Sequence, residues 1–300
     1  MTLTELRYLV TLARTKHFGH AADQCHVSQP TLSAAIRKLE EQLGLALFER
    51  RPREVRVTAQ AEPIIAQAQR ILEQVEQLEQ LADHQRDQLA APLRIGAIFT
   101  VAPYLFPVMI PRVHAKAGSM PLYIEENYTH VLRNKLEQGE LDAIIVALPF
   151  SGGGLVRAHM YEESFSVLLP AKHPWTKQKQ VKPEQLLDET LLLLGEGHCF
   201  RDQVLKLCPA IDSQRQKNLI QIEGGSLETL RHMVASGLGI TVLPASAVNQ
   251  HSYSPDTFAV RPFAGAAPSR TIALVWRDSF PRPRAIEVVR QSVPKEGLTG

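Results

Sequence analysis

Residues 27–33 read Val27-Ser28-Gln29-Pro30-Thr31-Leu32-Ser33, and this stretch decides the fold of the N-terminal part of the chain. Serine is favoured immediately before a helix, and proline is tolerated in the first turn because its missing N–H is not needed there. Apolar residues then recur every three or four positions as far as Leu43, and Gly44 suits a left-handed helix end. The stretch therefore predicts a helix over about residues 29–43.

The segments on either side of this helix predict a winged helix-turn-helix over residues 1–58. Residues 3–15 place apolar side chains at helical spacing, and Ala21, Ala22 and Cys25 indicate a short second helix before the turn. Two helices joined by a tight turn form the helix-turn-helix of many DNA-binding proteins. Residues 47–57 then predict a short hairpin with a basic tip, which would be the wing.

The recognition helix and the wing carry residue types that contact DNA. Glutamine pairs with adenine, arginine with guanine, and serine or threonine with a phosphate or a base, while wing arginines suit phosphates or the minor groove. The predicted contacts to double-stranded DNA are Gln29, Pro30, Thr31, Ser33 and Arg37 in the helix and Arg50, Arg51, Arg53 and Arg56 in the wing. The alternative is that these side chains only cap the helix and form a solvated surface.

Residues 59–90 predict a linker helix, capped by Thr58 and continuing to about residue 89. Its apolar positions follow a 3-4 spacing over three heptads, at Ala61, Ile64, Ala68, Ile71, Val75, Leu78 and Ala82. Such a repeat is typical of a seam between two helices, most simply in a dimer. The alternative is one amphipathic helix packed on its own domain.

Residues 91–300 predict an α/β regulatory domain with a largely parallel sheet, because short apolar runs alternate with helical patterns after Ala90-Ala91-Pro92. The predicted strands are 93–98, 122–126, 143–148, 165–170, 191–194, 240–243 and 271–276. The predicted helices are 103–117, 129–138, 183–187, 226–236 and 281–291. The chain as a whole is then α+β: a winged helix-turn-helix, a long linker helix and a C-terminal α/β domain.

Composition narrows the class of protein. A chain of 300 residues with 44% hydrophobic and 21% charged residues and a net charge of +2 suits a soluble protein of two domains. We see no signal peptide and no apolar run long enough to span a membrane, so we expect a cytoplasmic protein without membrane partners. Three cysteines exclude a disulfide scaffold. We expect no metal and no cofactor.

Cys199 and Cys208 form a candidate redox pair within GEGHCFRDQVLKLC. Their spacing does not fit a zinc site or a thioredoxin motif, although two buried structural cysteines stay an alternative. If residues 199–208 were helical, the two Cα atoms would lie ~13 Å apart, whereas a disulfide needs them within ~7 Å. A disulfide here would therefore require local unfolding and act as a switch. His198 and Arg201 are neighbours whose positive charge would lower the thiol pKa.

The N-terminal motifs resemble the DNA-binding domain of LysR-type transcriptional regulators. The matching residues are Phe18-Gly19-His20-Ala21-Ala22, residues 27–33, Leu43-Gly44 and Leu47-Phe48-Glu49-Arg50. The resemblance implies a homodimer or homotetramer and a periplasmic-binding-protein-like effector domain of two α/β subdomains joined by crossover strands. Subdomain I would span about 91–162 and 268–300, and subdomain II about 163–267.

The regulatory domain resembles the peroxide-sensing OxyR branch of that family. The matching residues are 98–105, 195–203, Cys208 and 226–231. The resemblance implies that hydrogen peroxide converts Cys199 to a sulfenic acid, that Cys208 closes a disulfide, and that a glutaredoxin- or thioredoxin-like thiol reductant resets it. It also implies that promoter DNA and RNA polymerase are binding partners. The regulated genes would be oxidative-stress genes, controlled by activation or repression.

The same resemblance implies a peroxide pocket made by Thr100, Thr129, His198 and Arg270, with the threonine hydroxyls on the two peroxide oxygens. A capping role in the following helix is the alternative for both threonines. Gly224-Gly225 is a departure, since related chains often carry hydroxyl side chains there.

Two other regulatory or enzymatic functions stay open at this point. A LysR-type regulator that binds a small-molecule effector in the cleft between subdomains would have the same fold. A thiol peroxidase would use the same cysteines and turn over repeatedly. We expect a regulator rather than an enzyme. A solute-binding transport protein is disfavoured by the N-terminal 90 residues.

Overall fold

The N-terminal part folds as a three-helix unit with a β-hairpin and a following long helix. The computed structural model describes residues 1–51, 54–82, 88–207, 223–249 and 257–294. Its first elements are α1 (Leu3–Thr15), α2 (Phe18–Gln24), α3 (Gln29–Leu43), β1 (Phe48–Arg51), β2 (Glu54–Val57) and α4 (Glu62–Ala82). The strands β1 and β2 pair antiparallel. The predicted helix-turn-helix and wing are both confirmed.

Local capping explains where α3 begins and ends. The Ser28 hydroxyl accepts a hydrogen bond from the backbone N–H of Thr31 at 3.3 Å, which satisfies one of the N–H groups left free at a helix start. Gly44 ends the helix in the left-handed region, with φ of +68°. Leu32, Ile36 and Leu39 are fully buried against the other helices of this unit. The opposite face of α3 is therefore left for solvent or a partner.

The regulatory part alternates strands and helices around a mixed sheet. Its strands are β3 (Leu93–Ile98), β4 (Leu122–Asn127), β5 (Ala143–Ala147), β6 (Leu155–Pro170), β7 (Leu191–Leu194), β8 (Glu223–Gly224), β9 (Ile240–Pro244), β10 (Phe258–Pro262) and β11 (Ser269–Arg277). Its helices are α5 (Ala102–Lys116), α6 (Thr129–Glu137), α7 (Cys199–Leu205), α8 (Leu227–Ala235), α9 (Ala245–Asn249) and α10 (Pro283–Ser292), with 3₁₀ turns at Pro174–Lys177 and Pro183–Asp188.

The long strands β6 and β11 divide this sheet into two parallel groups. One group contains β3, β4 and β5, and the other contains β7, β8 and β9. Strand β11 pairs antiparallel with β5 and β6, and the second half of β6 pairs antiparallel with β9 and β10. The prediction of a largely parallel sheet is therefore right for each group but wrong for the strands that join them.

The first half of β6 was not predicted from the sequence. This strand starts at Leu155 rather than at residue 165. Its first ten residues contain Arg157, His159, Glu162 and Glu163, which break the apolar run by which a buried strand is recognised. They form a strand nonetheless, because β11 supplies backbone hydrogen-bonding partners from Leu155 to Ser164. The boundaries of the two predicted subdomains stay a prediction.

The linker helix begins later and ends earlier than the sequence indicates. Thr58 caps a turn, since its hydroxyl accepts from the N–H of Ala61 at 3.2 Å, and α4 begins at Glu62. Residues 88–90 form a turn, so the predicted continuation to residue 89 is wrong. Ala61 and Ala68 are buried in the core of the N-terminal unit. The first half of the predicted seam therefore packs on its own domain, whereas Leu78 is 66% exposed. No described helix is long and apolar enough to cross a membrane.

Candidate functional site

A small cavity lies where strands from both parallel groups of the regulatory part end. It is bordered by the residues that follow β3 and β4 and by those that follow β7. Ligands in open α/β sheets usually bind at the carboxyl ends of parallel strands. The lining residues are Ile98, Phe99, Thr100, Asn127, Tyr128, Thr129, Gly197, His198 and Cys199. Four of the six residues predicted for the redox site thus come together here: Thr100, Thr129, His198 and Cys199.

The size of the cavity limits what can occupy it. About 10 Å³ is open to the centre of a water-sized molecule. That is close to the room that one buried water requires, roughly 10–15 Å³. Pockets for drug-sized ligands are much larger, at roughly 300–1,000 Å³. The cavity therefore suits a ligand of only a few heavy atoms.

Thr129 points a hydroxyl group into buried surroundings. Its Oγ1 atom is buried and has no hydrogen-bond partner within the described part of the chain. The capping alternative is wrong for this residue, because the cap of α6 is Tyr128 and Thr129 is the first helical residue. An unpaired buried hydroxyl costs roughly 1–3 kcal/mol. A small polar ligand in the cavity would recover this cost.

Thr100 is held by a buried arginine. Arg270 Nη1 donates to the Thr100 hydroxyl at 2.8 Å, and Nη2 donates to the Thr100 carbonyl at 3.0 Å. Since the hydroxyl oxygen accepts from Arg270, its own proton is available for a different acceptor. Capping does not explain Thr100 either, because Val101 precedes α5 without any side-chain cap.

Arg270 is itself fixed by Glu163, which sequence reasoning missed. The two residues are direct cross-strand partners on β11 and β6. Arg270 Nε donates to Glu163 Oε1 at 2.7 Å, both side chains are 1% exposed, and Glu163 Oε2 accepts from the Ser246 N–H at 3.2 Å. The guanidinium also lies 4.9 Å from the ring centroid of Phe200. Arg270 therefore acts on the cavity through Thr100, and no sequence pattern distinguishes Glu163 from the neighbouring Glu162.

The charges beside Cys199 in the structure differ from those predicted from the sequence. Burial lowers the pKa of His198, opposed only in part by a hydrogen bond with the backbone of Gly225, so the ring is neutral at neutral pH. Arg201 donates to the Leu194 carbonyl at 3.0 Å and forms an ion pair with Glu223. The expectation of two positive neighbours is therefore wrong for His198, and the charge of Arg201 is already balanced.

Cys199 is the first residue of α7 and is half-buried with a free thiol. Its predicted partner, Cys208, lies outside the described residues. Cys25 is also a free, half-buried cysteine, packed against the core of the N-terminal unit. Among the described residues, no group of three His, Cys, Asp or Glu side chains is placed to hold a metal ion.

The predicted DNA-contacting residues of α3 share its outward face. Gln29, Pro30, Thr31 and Arg37 are exposed, and Ser33 is half-buried. Thr31 Oγ1 lies 2.7 Å from Ser28 Oγ, so this threonine also belongs to the helix cap. In the wing, Arg50 and Arg51 lie in β1 and Arg56 lies in β2, while Arg53 is outside the described residues.

Comparisons with known proteins cover almost the whole chain. Residues 3–62 match the bacterial regulatory helix-turn-helix protein family of the lysR type, and residues 86–297 match the LysR substrate binding domain. The DNA-binding transcriptional dual regulator OxyR of Escherichia coli K12 is 39% identical over 293 residues, which are 98% of this chain and 95% of that protein. The chain belongs to the LysR family, in its OxyR branch.

Two solved OxyR structures show the same architecture. A full-length OxyR from Pseudomonas aeruginosa, in a Cys-to-Asp variant, is 56% identical with a TM-score of 0.84 and covers 97% of this chain and 94% of its own. An OxyR from Corynebacterium glutamicum, a Cys-to-Ser variant described as H2O2-bound, is 33% identical with a TM-score of 0.64 and covers 99% of this chain and 91% of its own. LysR-family membership makes this chain a DNA-binding transcriptional regulator.

Within this OxyR-type cavity, sequence reasoning also missed two aromatic residues. Phe99 and Tyr128 line the cavity, and their rings meet edge to face with 5.2 Å between centroids. Phe99 falls inside a motif that resembles the family, yet its ring carries no reactive group that would have drawn attention. Tyr128 stands directly before Thr129 and has no periodic signal of its own. Their proximity arises only when the ends of β3 and β4 meet.

Proposed function

We propose that this chain senses hydrogen peroxide at Cys199 and converts the signal into a changed arrangement on promoter DNA. The observation that carries the proposal is the buried Thr129 hydroxyl, which has no hydrogen-bond partner among the described residues. Thr129 lines a cavity about the size of one water molecule, and Cys199 lines the same cavity. Hydrogen peroxide has two oxygen atoms that accept and donate hydrogen bonds and fits this combination. The H2O2-bound relative from Corynebacterium glutamicum supports the proposal.

The chemistry consists of two balanced steps. The Cys199 thiolate attacks one peroxide oxygen, an S–O bond forms, the O–O bond breaks, and the departing hydroxide takes up a proton to become water. The Cys208 thiolate then attacks the sulfenic sulfur, an S–S bond forms, and the second oxygen leaves as water after protonation. The two cysteines are oxidised by two electrons, and the peroxide is reduced to two water molecules.

The pocket residues have distinct roles in this proposal. Thr129 and Thr100 bind the two peroxide oxygens, and Arg270 positions Thr100 with its hydroxyl proton available. His198, kept neutral by burial, binds or relays a proton at the departing oxygen. Because the Thr100 hydroxyl is already oriented by Arg270, which Glu163 holds in turn, this group needs little reorganisation when charge develops on the oxygen.

The output of the switch is the position of the recognition helices. The residues of α3 and the wing bind promoter DNA in a homodimer or homotetramer, and disulfide formation changes the distance between DNA-binding domains and the contact with RNA polymerase. A thiol reductant resets the disulfide, so the chain acts as a regulator rather than as a peroxidase. The small cavity disfavours the alternative of a larger effector molecule beside Cys199.

Thiol mapping by mass spectrometry tests the proposal on the full chain. One equivalent of hydrogen peroxide should remove two free thiols, in the peptides that contain Cys199 and Cys208, and leave Cys25 free. The Cys199→Ser variant should lose peroxide-dependent induction of a target promoter. Induction that survives in this variant would exclude the redox mechanism, and repeated peroxide turnover with a thiol reductant but no DNA binding would favour a peroxidase.

A further inference from the structure

Aromatic side chains form part of the wall of the cavity beside Cys199. Phe99 and Tyr128 both line the cavity, and both residues are half-buried, so each is partly accessible to solvent. Both rings also contact the buried His198 ring, with centroid distances of 5.7 and 4.9 Å. The three rings thus form one continuous packed cluster in the wall of the cavity.

The position of Tyr128 is fixed from two further sides. The exposed His130 ring stacks on Tyr128 at 5.8 Å with an angle of 17° between the planes. On another side, a Cβ atom at Gly197 would lie 3.2 Å from Tyr128, and Gly197 has φ of +90°, a conformation that favours glycine. Glycine at this position therefore lets Tyr128, which follows β4, pack against the segment that follows β7.

We propose that Phe99 and Tyr128, here called the aromatic gate, determine which peroxides reach Cys199. Hydrogen peroxide passes the gate, whereas organic hydroperoxides with bulky carbon substituents are excluded. This inference rests on the proposed function, because it assumes that Cys199 reacts with peroxides. It adds two specificity-determining residues that take no part in the proton or electron transfers.

The dimensions of the site support a steric filter. Only about 10 Å³ is open to the centre of a water-sized molecule, so a tertiary alkyl or aryl group does not fit without displacing part of the wall, to which Phe99 and Tyr128 contribute. Aromatic rings packed edge to face on one another resist such displacement because several contacts must be lost together. A substituent that fits poorly in a closed pocket commonly changes a rate by about 10- to 200-fold per small group. The reactive end of the molecule is identical in both classes of peroxide, so discrimination must come from the wall.

The test compares two oxidants on the reduced, full-length protein. The rate constant for loss of the Cys199 thiol is measured with hydrogen peroxide and with cumene hydroperoxide, by peptide mapping with Cys25 as the internal reference. The variants are Phe99→Ala, Tyr128→Ala and the conservative Tyr128→Phe, which keeps the ring. Tyr123→Ala, at a 60% exposed position of β4 outside the cavity, is the matched control. If an alanine variant does not fold, Phe99→Leu and Tyr128→Leu replace it.

We expect the ratio of the hydrogen peroxide rate to the cumene hydroperoxide rate to fall by about tenfold or more in Phe99→Ala and Tyr128→Ala. The ratio should stay at the wild-type value in Tyr128→Phe and Tyr123→Ala. A wild-type protein that oxidises equally fast with both peroxides, or gate variants with an unchanged ratio, would overturn the aromatic gate and leave peroxide sensing intact. A wild-type Cys199 that does not react with hydrogen peroxide would instead overturn the proposed function.

Discussion

Glu73 in α4 and Arg277 in β11 form a buried ion pair that joins the linker helix to the regulatory domain. Arg277 Nε donates to Glu73 Oε1 at 2.5 Å, and the two side chains are 5% and 9% exposed for Glu73 and Arg277 respectively. Arg277 also donates to the carbonyls of Leu136 and Leu141, and Ser279 donates to the second oxygen of Glu73. A buried polar network therefore ties the linker helix to the regulatory domain at this point.

Removing one partner of this pair should destabilise the protein strongly. In Arg277→Met, Glu73 is left charged and buried, which typically costs about 3–5 kcal/mol of unfolding free energy. The double variant Glu73→Leu/Arg277→Met should regain part of this loss because no charge is left unpaired. Urea unfolding of the wild-type protein, both single variants and the double variant measures the coupling free energy of the pair. The exposed pair Arg290–Glu287 provides the control, since Glu287→Gln should change stability by less than about 1 kcal/mol. A loss in Arg277→Met as small as in this control would show that the buried pair does not hold the helix.

The buried Thr129 hydroxyl predicts a trade-off between stability and reactivity. Thr129→Val keeps the shape of the side chain but removes a buried polar atom that has no hydrogen-bond partner in the described part of the chain, so stability should stay equal or rise by about 1 kcal/mol. The same variant should oxidise with hydrogen peroxide about tenfold more slowly, since it loses a hydrogen bond worth about 1–2 kcal/mol. Thermal unfolding and thiol-loss kinetics measure the two effects.

Thr241 offers a matched threonine for this experiment. Its hydroxyl is buried but donates to the Leu192 carbonyl at 2.9 Å, so Thr241→Val should lower stability and leave the peroxide rate unchanged. Equal destabilisation in both variants would mean that Thr129 has a structural partner in solution.

The sequence was most informative where the local structure depends on residues that are close together in the chain. Helix α3 was predicted to its ends because Ser28, Pro30 and Gly44 act locally. The Glu73–Arg277 pair joins residues 204 positions apart, and the Glu163–Arg270 pair joins residues 107 apart, so no local pattern shows either contact. Resemblance to the family indicated Arg270 but not the glutamate that holds it.

Arg270 should not be replaceable by lysine. One guanidinium contacts both the Thr100 hydroxyl and Glu163, whereas a lysine ammonium is a single point charge on a flexible stem. We expect Arg270→Lys to oxidise about tenfold more slowly with hydrogen peroxide, consistent with the loss of one oriented hydrogen bond. Arg261→Lys is the control, because Arg261 also donates to carbonyl oxygens, at Gln178 and Val260, but lies outside the cavity. A normal rate in Arg270→Lys would argue against a positioning role.

Arg37 is expected to read a base rather than only a phosphate. It is exposed on the outward face of α3, and arginine pairs with guanine in the major groove. Arg37→Ala should weaken binding to promoter DNA by about 1–3 kcal/mol and weaken binding to unrelated DNA less. Arg290→Ala, an equal change of charge on α10, should alter neither affinity. Fluorescence anisotropy at several salt concentrations measures both, and equal weakening on the two DNA sequences would indicate a phosphate contact instead.

His198 should make the stability of the reduced protein depend on pH. Burial lowers its pKa in the folded state from the ordinary value of 6.5, so the unfolded chain binds a proton more readily. The contribution of neutral His198 to the free energy of unfolding is therefore complete above about pH 6.5. It decreases as the pH falls from there toward the pKa of His198 in the folded protein. Relative to His198→Asn, the wild-type protein should lose thermal stability between pH 7 and pH 5, whereas His130→Asn, at an exposed position, should keep the wild-type profile. If the thermal stability of the wild-type protein and of His198→Asn changed with pH in the same way, His198 would not be held neutral by burial.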